Sequence, residues 1–414
     1  MISRRQFLQG SGLLAAGALA GPIRAAGSVL AAPSGKVGSM KIASVKTAAI
    51  DIKYKTHLVK VTTDSGLFGI GEAYPKAEVA DDIALMGRKI IGEDPLNVES
   101  LVFSLTQQFW SRGSRTGSLC GAIAGIETAL YDLAGKILGI PVYVLLGGTY
   151  HDRILLYNDA DSPDSKTFDA QAWAATALAS KEAGFRAVKH SLPKYDSSIN
   201  GTITPGTLRK WVRILEATVD ALGDDTRIGV DLHWKYQSVD VLRFTHMIRD
   251  LNIWFLEDPI QPEDIEGHRR IKEKSVVPIL TGENLYHRQG FRQLIETQAC
   301  DMVHIDAQKS GGLLEMKKIA DWADLYSMPM ICHNGATPVG TIASAHACRA
   351  IKSFVALEAD TAEGDKAHWP DLIHHEGPLF RDGYLEVSDR PGLGIELNED
   401  VCREHLADDR GFFE

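Results

Sequence analysis

The chain has 414 residues, of which 44% are hydrophobic and 24% charged, and its formal net charge is −10. This is the composition of an ordinary globular protein, and the negative balance without a cluster of Lys and Arg argues against a nucleic-acid binder. The cysteines are odd in number and widely scattered, which indicates buried free thiols rather than a disulfide framework or a zinc site. They are Cys120, Cys300, Cys332, Cys348 and Cys402.

The N-terminus has the layout of an export signal. Arg4 and Arg5 precede a short run of Leu, Ala and Gly that ends in small residues, "MISRRQFLQGSGLLAAGALAGPIRAAGS". The run is too short for a membrane anchor, and "SRRQFLQ" looks like a twin-arginine signal; a disordered basic N-terminus is the alternative. Residues 1–32 are therefore assigned to the signal, and several cleavage sites compete between Ala25 and Ala32. We expect a periplasmic protein that has no membrane attachment once the signal is removed.

Residues 39–150 predict a small α+β domain. The segments "KIASVKTAAIDIKY" and "HLVKVTTDSGLFGIGEAY" alternate as β-strands do, with a turn at Ser65-Gly66. The helix in "AGIETALYDLAGKILG" carries apolar residues at helical spacing and ends at Gly139. These apolar residues are Ile126, Leu130, Leu133 and Ile137.

From residue 151 to residue 385 the pattern is a repeated strand followed by a helix. Eight strand candidates occur: "RILLYND", "RAVKHSL", "RIGVDLHW", "IWFLEDP", "PILTGEN", "MVHIDAQ", "PMICHNG" and "VALEAD". Eight such units suit a parallel βα barrel better than a doubly wound sheet. No G-x-G-x-x-G follows a strand, which disfavours a dinucleotide-binding fold. Residues 386–414 are expected to return to the first domain.

Charged and imidazole side chains stand at the ends of the predicted barrel strands, where a βα barrel forms its active site. Seven consecutive strands end in such residues: Lys189, Asp231 with His233, Glu257, Glu283, Asp306, His333 and Glu358. Charges gathered in one bowl would repel one another unless something compensates them.

Three of these residues are carboxylates on adjacent strands, Asp231, Glu257 and Glu283, separated by 26 residues in each case (231 to 257, 257 to 283). Oxygen ligands without a cysteine suit Mg²⁺, or Mn²⁺, far better than zinc. The alternative is that Lys or Arg from neighbouring strands pairs with the three carboxylates, although these strands offer no matching row of cations.

Asp306 and His333 follow on the next two strands. A carboxylate one strand away from an imidazole fixes its tautomer and raises its basicity, which is the usual construction of a general base. A structural histidine bonded to a backbone carbonyl is the alternative. His233 lies two residues after Asp231 and faces the same side of the strand.

Five motifs in a fixed order carry a family resemblance: "VDLHW", "FLEDP", "TGEN", "HIDAQKSGG" and "CHNG". At these intervals they resemble the mandelate racemase-like subgroup of the enolase superfamily. The match extends over nearly the whole mature chain and includes "GIETALYDLAGKILGIPVYVLLGG" before the barrel. The resemblance implies an N-terminal α+β capping domain and a modified TIM barrel of the form (β/α)7β. Family members are often symmetric homo-oligomers, so we expect a homo-oligomer.

The resemblance also implies roles for six strand-end residues. They are the Mg²⁺ ligands Asp231, Glu257 and Glu283, the Asp–His dyad Asp306 and His333, and Glu358, which would help to stabilise an enolate oxygen. The shared reaction step is abstraction of a proton α to a carboxylate.

One departure from the family pattern bears on the reaction. Many members carry Lys-x-Lys on the second barrel strand, where this chain has Lys189 and Ser191. Ser191 cannot act as a base near neutral pH, so His333 is the one evident base. Lys189 remains as a cation for the substrate carboxylate or the enediolate. His233 resembles the proton donor of galactonate and mannonate dehydratases; orienting Asp231 is its alternative role.

These features predict a Mg²⁺-dependent dehydratase of an aldonate or aldarate, a small-molecule carboxylate substrate. A cycloisomerase or epimerase on the same scaffold is the second hypothesis, and a non-catalytic binder of sugar acids is the third. The candidates for contact with substrate are Lys189, Tyr54, His57, Arg112 and Asn158.

Overall fold

The computed structural model describes residues 40–52, 55–74, 78–160, 163, 167–193, 198–199, 202–359, 370–375 and 378–414. The predicted signal, residues 1–32, lies outside the described residues, as does Tyr54. Within the described part of the chain, no helix combines the length and apolarity that crossing a membrane requires. All five cysteines are buried free thiols, as their spacing predicted.

The N-terminal part is a three-stranded antiparallel sheet with helices packed on it. Its elements are β1 (Ile42–Asp51), β2 (Lys55–Thr63), β3 (Phe68–Ala73), α1 (Val79–Gly87), α2 (Val98–Gln108), α3 (Gly117–Leu138) and α4 (Val142–Leu145). The strands pair in the order β1-β2-β3. Helix α3 lies so close to the sheet that a Cβ atom at Gly71 would overlap the α3 backbone at Gly125. This is the α+β domain that the alternating strands and the long apolar helix predicted.

The following residues alternate between strand and helix. The strands are β4 (Ile154–Asp159), β5 (Ala187–Ser191), β6 (Ser198–Ile199), β7 (Thr202–Ile203), β8 (Arg227–Asp231), β9 (Phe255–Glu257), β10 (Ile279–Thr281), β11 (Met302–Ile305), β12 (Met330–Cys332) and β13 (Phe354–Ala359). The helices are α5 (Ala170–Glu182), α6 (Pro205–Leu222), α7 (Ser238–Met247), α8 (Ile265–Lys274), α9 (His287–Glu296), α10 (Ala307–Ser310), α11 (Leu313–Asp324) and α12 (Pro338–Arg349).

Eight of these strands form a closed parallel barrel, while β6 and β7 form a separate hairpin. The barrel order is β4-β5-β8-β9-β10-β11-β12-β13, and β13 pairs again with β4 through Leu357 and Leu156. Seven strand–helix units followed by a closing strand are the predicted (β/α)7β barrel with its cap, so the predicted fold class is confirmed.

An apolar cluster fills the barrel below the strand ends. Its buried members come from seven strands: Tyr157, Ala187, Phe255, Leu280, Met302, Ile331 and Ala356. The eighth strand has Gly229 at this level, where a Cβ atom would lie 2.5 Å from the ring of Phe255. Because side chains alternate along a strand, the residues two positions beyond this cluster also face the barrel axis.

The chain after the barrel contacts both parts of the protein. It contains β14 (Phe380–Arg381), β15 (Tyr384–Leu385) and α13 (Glu399–Glu404). Strand β15 pairs antiparallel with the start of β4, and the backbone N–H of Ala407 donates to Ala49 O of the cap sheet. The C-terminal segment thus reaches the cap; the residue numbers assigned to the domain bounds stay predictions.

Candidate active site

The polar side chains of the site stand on the apolar cluster inside the barrel. Two positions beyond its members lie Lys189, Glu257, His304, His333 and Glu358, and Asp231 lies two positions beyond Gly229. Asp306 directly follows β11, and Glu283 lies two residues after β10. The structure therefore brings together every residue predicted to bind the metal or to act in catalysis, and their electrostatic contacts form one continuous group.

Lys189 lies among three carboxylates at one side of the group. Its Nζ atom is 2.7 Å from Glu358 Oε1, 3.0 Å from Glu257 Oε1 and 3.6 Å from Asp231 Oδ2. Burial opposes the charge of this 2%-exposed lysine, but Glu257 and Glu358 outweigh burial and raise its pKa well above the ordinary value. Lys189 is therefore a permanently charged ammonium group that offsets part of the negative charge.

His333 connects two carboxylates at the other side of the group. Its Nδ1 atom is 2.6 Å from Asp306 Oδ2, and its Nε2 atom is 2.7 Å from Glu283 Oε2. Burial disfavours the imidazolium form, but Glu283, Glu358 and Asp306 raise the pKa of His333 well above its usual value. Burial alone would raise the pKa of Glu283, but its ion pair with His333 lowers that pKa well below the ordinary value.

The orientation of Asp306 follows from its position at the start of α10. Its Oδ1 atom accepts hydrogen bonds from the backbone N–H groups of Gln308 (2.6 Å) and Lys309 (3.0 Å). This N-cap leaves Oδ2 for His333. The local fold thus holds the Asp306 carboxylate in one orientation toward the imidazole, as the dyad prediction required.

Lys309 is a site residue that the sequence prediction missed. It belongs to the "KSGG" segment, is buried, and places Nζ 3.2 Å from Glu283 Oε1. Burial opposes its charge, but Glu283 and Asp306 raise the pKa of Lys309 above its ordinary value. The only available signal was its position three residues after Asp306, on the first turn that follows the strand.

His304 and Tyr157 form a second part of the site, of which His304, inside its strand, was missed from the sequence. The Tyr157 hydroxyl donates to Glu358 Oε2 at 3.0 Å and lies 3.1 Å from His304 Nε2, so this nitrogen carries the proton and donates to the hydroxyl oxygen. Burial lowers the pKa of His304 far below its usual value and raises that of Tyr157. Both are neutral side chains beneath the carboxylates.

The carboxylates fit a divalent cation. Among the described residues, the carboxylates that converge on the site include Asp231, Glu257, Glu283, Asp306 and Glu358, and the ammonium groups of Lys189 and Lys309 lie among them. The buried Glu257 Oε2 atom has no hydrogen-bond partner in the described part of the chain. A buried carboxylate oxygen without a donor is costly, and a cation would remove that cost.

The close grouping of candidate ligand atoms includes a histidine. One oxygen each from Glu257 and Glu283 and one ring nitrogen of His304 lie within 4.8 Å of one another. The predicted set instead has Asp231, which is paired with Glu257 in the register of β8 and β9. Mg²⁺ prefers oxygen ligands, so the donor chemistry favours Asp231.

His233 lies at the rim, next to Asp231. Its backbone N–H donates to Asp231 Oδ1 at 2.7 Å, and its Nδ1 atom lies 3.3 Å from Asp231 Oδ2, with 38% of the side chain exposed. Its φ of 50° is in the left-handed region, as is that of Trp234 (49°). Burial lowers the pKa of His233 and the Asp231 carboxylate opposes that shift.

Of the predicted substrate-contact residues, Lys189 lies in the site, and three others among the described residues have different surroundings. The Asn158 amide donates to Ser180 Oγ of α5 at 2.7 Å, because Tyr157 faces the barrel axis and its neighbour therefore faces the helix layer. The Asn158 amide is thus bonded to α5 in this structure, and its contact with the substrate stays a prediction. His57 is buried in β2, and Arg112 is exposed in a short turn after α2. The roles of His57 and Arg112 stay predictions.

Comparisons with known proteins give the family. Residues 172–401 match the model described as enolase C-terminal domain-like, and residues 39–147 match the mandelate racemase/muconate lactonizing enzyme N-terminal domain. The chain belongs to the mandelate racemase-like subgroup of the enolase superfamily. The family that the five motifs predicted is thereby confirmed. Residues 1–21 match the twin-arginine translocation signal, which confirms the predicted type of export signal.

Relatives within this family are named for reactions of sugar acids. The chain is 35% identical over 386 residues to a protein of Haloferax volcanii named D-xylonate dehydratase, covering 92% of this chain and 93% of the relative. The structure is similar to that of a mandelate racemase/muconate lactonizing enzyme-like protein from Rubrobacter xylanophilus, with a TM-score of 0.85 and 34% sequence identity. The match covers 90% of this chain and 99% of the other. The structure is also similar to that of a 3,6-anhydro-D-galactonate cycloisomerase from Zobellia galactanivorans, with a TM-score of 0.79 and 27% sequence identity. This match covers 89% of this chain and 100% of the other.

Proposed function

We propose that this protein is a Mg²⁺-dependent dehydratase of an acid sugar, which converts a 2,3-dihydroxy carboxylate into a 2-keto-3-deoxy acid in the periplasm. The observation that carries the proposal is the position of His333, whose imidazole lies between the carboxylates of Asp306 and Glu283. A base beside cation-binding carboxylates is what abstraction of a weakly acidic proton α to a carboxylate needs. The 35% sequence identity to a protein named D-xylonate dehydratase favours dehydration as the reaction and an aldonate as the substrate.

Asp231, Glu257 and Glu283 are the residues that would hold the cation. When bound, a divalent cation would neutralise negative charge on the substrate carboxylate, which grows as the α-proton leaves. Lys189 adds a second positive charge from below, through its contacts with Glu257 and Glu358. The uncharged pair Tyr157 and His304 holds Glu358 through the Tyr157 hydroxyl without adding charge.

The proton is taken by His333. Its Nδ1–H donates to Asp306, so that Nε2 is the basic nitrogen once it has released the proton that it shares with Glu283. The electron pair of the broken Cα–H bond forms the double bond of an enediolate. That pair then expels the hydroxyl on C3, which leaves as water after it accepts a proton. The enol that remains tautomerises to the 2-keto acid, so one water is lost and no oxidant is consumed.

His233 is the proposed donor of the proton to the leaving hydroxyl. It is at the rim and half-exposed, and its Nδ1 atom is 3.3 Å from Asp231 Oδ2, a carboxylate that favours the imidazolium. Burial opposes that form, and substitution of His233 tests whether it donates this proton.

A cycloisomerase acting on a sugar acid is the second candidate. The similarity to the Zobellia cycloisomerase supports it. Such an enzyme would also abstract the α-proton, but its product would be an isomer of the substrate rather than a keto acid.

The experiment is a panel of five- and six-carbon aldonates and aldarates, with D-xylonate first, incubated with Mg²⁺ and separately with a chelator. The proposal expects a 2-keto acid from at least one member, and none in the presence of chelator. Solvent deuterium at the α-carbon without keto acid would favour the cycloisomerase, and no product from any acid would overturn the substrate class.

A further inference from the structure

The buried carboxylate of Glu72 joins the cap to the barrel. Glu72 lies in β3 of the cap and is 1% exposed. Its Oε1 atom accepts from Thr337 N at 3.0 Å and from Thr56 Oγ1 at 2.8 Å. Its Oε2 atom accepts from Gly340 N at 2.9 Å and from the Thr337 hydroxyl. Three of the four donors therefore come from the barrel side, at the N-terminus of α12.

This helix start is tied closely to His333. Thr337 is the N-cap of α12 and follows His333 by only four residues. Asn334, within this short loop, is fixed by donating to Thr341 Oγ1 at 2.9 Å and to Glu358 O at 3.2 Å. A negative charge at the N-terminus of a helix is favourable, because the first N–H groups point toward it. The cap carboxylate thus holds the far end of the loop that carries the imidazole.

The same cap residue also touches the loop that carries Asp306. The backbone oxygen of Glu72 accepts a long hydrogen bond (3.5 Å) from Gln308 Nε2, and the Gln308 backbone N–H donates to Asp306 Oδ1. A Cβ atom at Gly340 would lie 2.6 Å from Gln308 Nε2 and 3.1 Å from Glu72 Oε2. The two loops and the cap strand are therefore packed together at one point, with no room for a side chain.

We propose that Glu72 is a positioning residue of the active site, which holds the His333 loop and the Asp306 loop in register and thereby sets the contact between the imidazole and its carboxylate partner. The proposal rests on the proposed function for its kinetic consequence. Glu72 touches neither the predicted metal ligands nor the dyad side chains, so it acts only through Thr337, Gly340 and Gln308. A misplacement of about 1 Å at a reacting group can cost about 100-fold in rate.

The test compares Glu72→Gln with Thr56→Val. The amide of glutamine keeps the shape but cannot accept on both sides, so it breaks bonds to the barrel loop. Thr56→Val removes a bond to the same carboxylate from the cap alone and serves as the matched control. The first measurement is hydrogen exchange of peptides covering residues 334–340, which needs no substrate. The second is kcat and KM on an accepted acid.

For Glu72→Gln we expect faster exchange in residues 334–340 and a kcat lower by about 10- to 100-fold with KM within about twofold of the parent value. Thr56→Val is expected to keep parental exchange in this loop and parental kcat. Thr337→Ser, which keeps a hydroxyl, should resemble the parent, whereas Thr337→Val should resemble Glu72→Gln.

The proposal is overturned if Glu72→Gln leaves both the exchange and kcat unchanged, or if Thr56→Val reduces both by the same factor. If Glu72→Gln does not fold, the comparison of Thr337→Ser with Thr337→Val decides instead, by the same two measurements. If the parent protein converts no acid, the proposed function fails, and loop exchange alone then decides whether Glu72 positions the loop.

Discussion

His333 Nδ1 lies 2.6 Å from Asp306 Oδ2, and the backbone fixes the direction of that contact because Oδ1 of the same carboxylate caps α10. In its neutral form the imidazole is therefore held in the tautomer that carries the proton on Nδ1 and leaves Nε2 basic. We predict that Asp306→Asn lowers kcat by about 10²- to 10⁴-fold, the range over which a general base contributes. The measurement is kcat together with the thermal midpoint. Activity within threefold of the parent, in a folded variant, would contradict the assignment of the dyad.

His233→Asn separates proton abstraction from loss of the hydroxyl. His233 is at the rim, and within the described part of the chain it forms no hydrogen bond or ion pair with His333, so the α-proton should still be removed. We expect exchange of the α-proton with solvent deuterium to continue while keto acid formation falls by about 100-fold or more. Proton NMR in deuterated buffer follows both events in one sample. Unchanged formation of keto acid would leave His233 as a residue that only orients Asp231.

Metal affinity distinguishes the two sets of candidate ligands. Calorimetric titration of Mg²⁺ into Asp231→Asn and Glu257→Gln should show affinity weaker by more than about 100-fold, since even residues that merely orient ligands cost 10- to 100-fold. His304→Gln keeps all the carboxylates and should bind Mg²⁺ within about tenfold of the parent. The opposite order, with His304→Gln the weakest binder and Asp231→Asn unaffected, would show that the histidine is the ligand.

The buried side chain of His190 should make the free energy of unfolding fall at acidic pH. Burial lowers its pKa from 6.5 to about 4, and it contacts Trp173 and Thr218 on the outer side of β5. Because the unfolded chain binds this proton more readily, stability is lost as the pH falls below 6.5. The contribution is about 2 kcal/mol between pH 7 and pH 5. His190→Gln should reduce the acid-side slope of the unfolding free energy measured by urea titration, and an identical slope would contradict the prediction.

The sequence predicted the parts of the site that lie at strand ends. Asp231, Glu257 and Glu283 were recognisable because parallel barrel strands deliver their last residues to one edge. His304 was missed because it stands inside its strand, and Lys309 because it follows a strand on a turn. Asn158 bonds to α5 because its neighbour Tyr157 belongs to the apolar cluster on the barrel axis and side chains alternate along a strand.

The cap contact was also beyond the reach of sequence patterns. In the sequence, Glu72 is one polar residue in a predicted β-strand with alternating side chains. Its partners Thr337 and Gly340 are more than 260 residues away in the chain. Only the packing of β3 against the start of α12 shows that this carboxylate is buried and fully bonded. Such a contact between domains depends on their mutual placement, which no local pattern encodes.

The central claim is that His333 removes the α-proton of a sugar acid in a reaction that ends in loss of water. The most direct measurement incubates the parent and His333→Asn with the accepted acid and Mg²⁺ in deuterated buffer and follows the α-proton and the keto acid by NMR. We predict that the parent converts the acid to keto acid, whereas His333→Asn neither exchanges the α-proton nor forms keto acid. Keto acid formed by His333→Asn at the parental rate would contradict it.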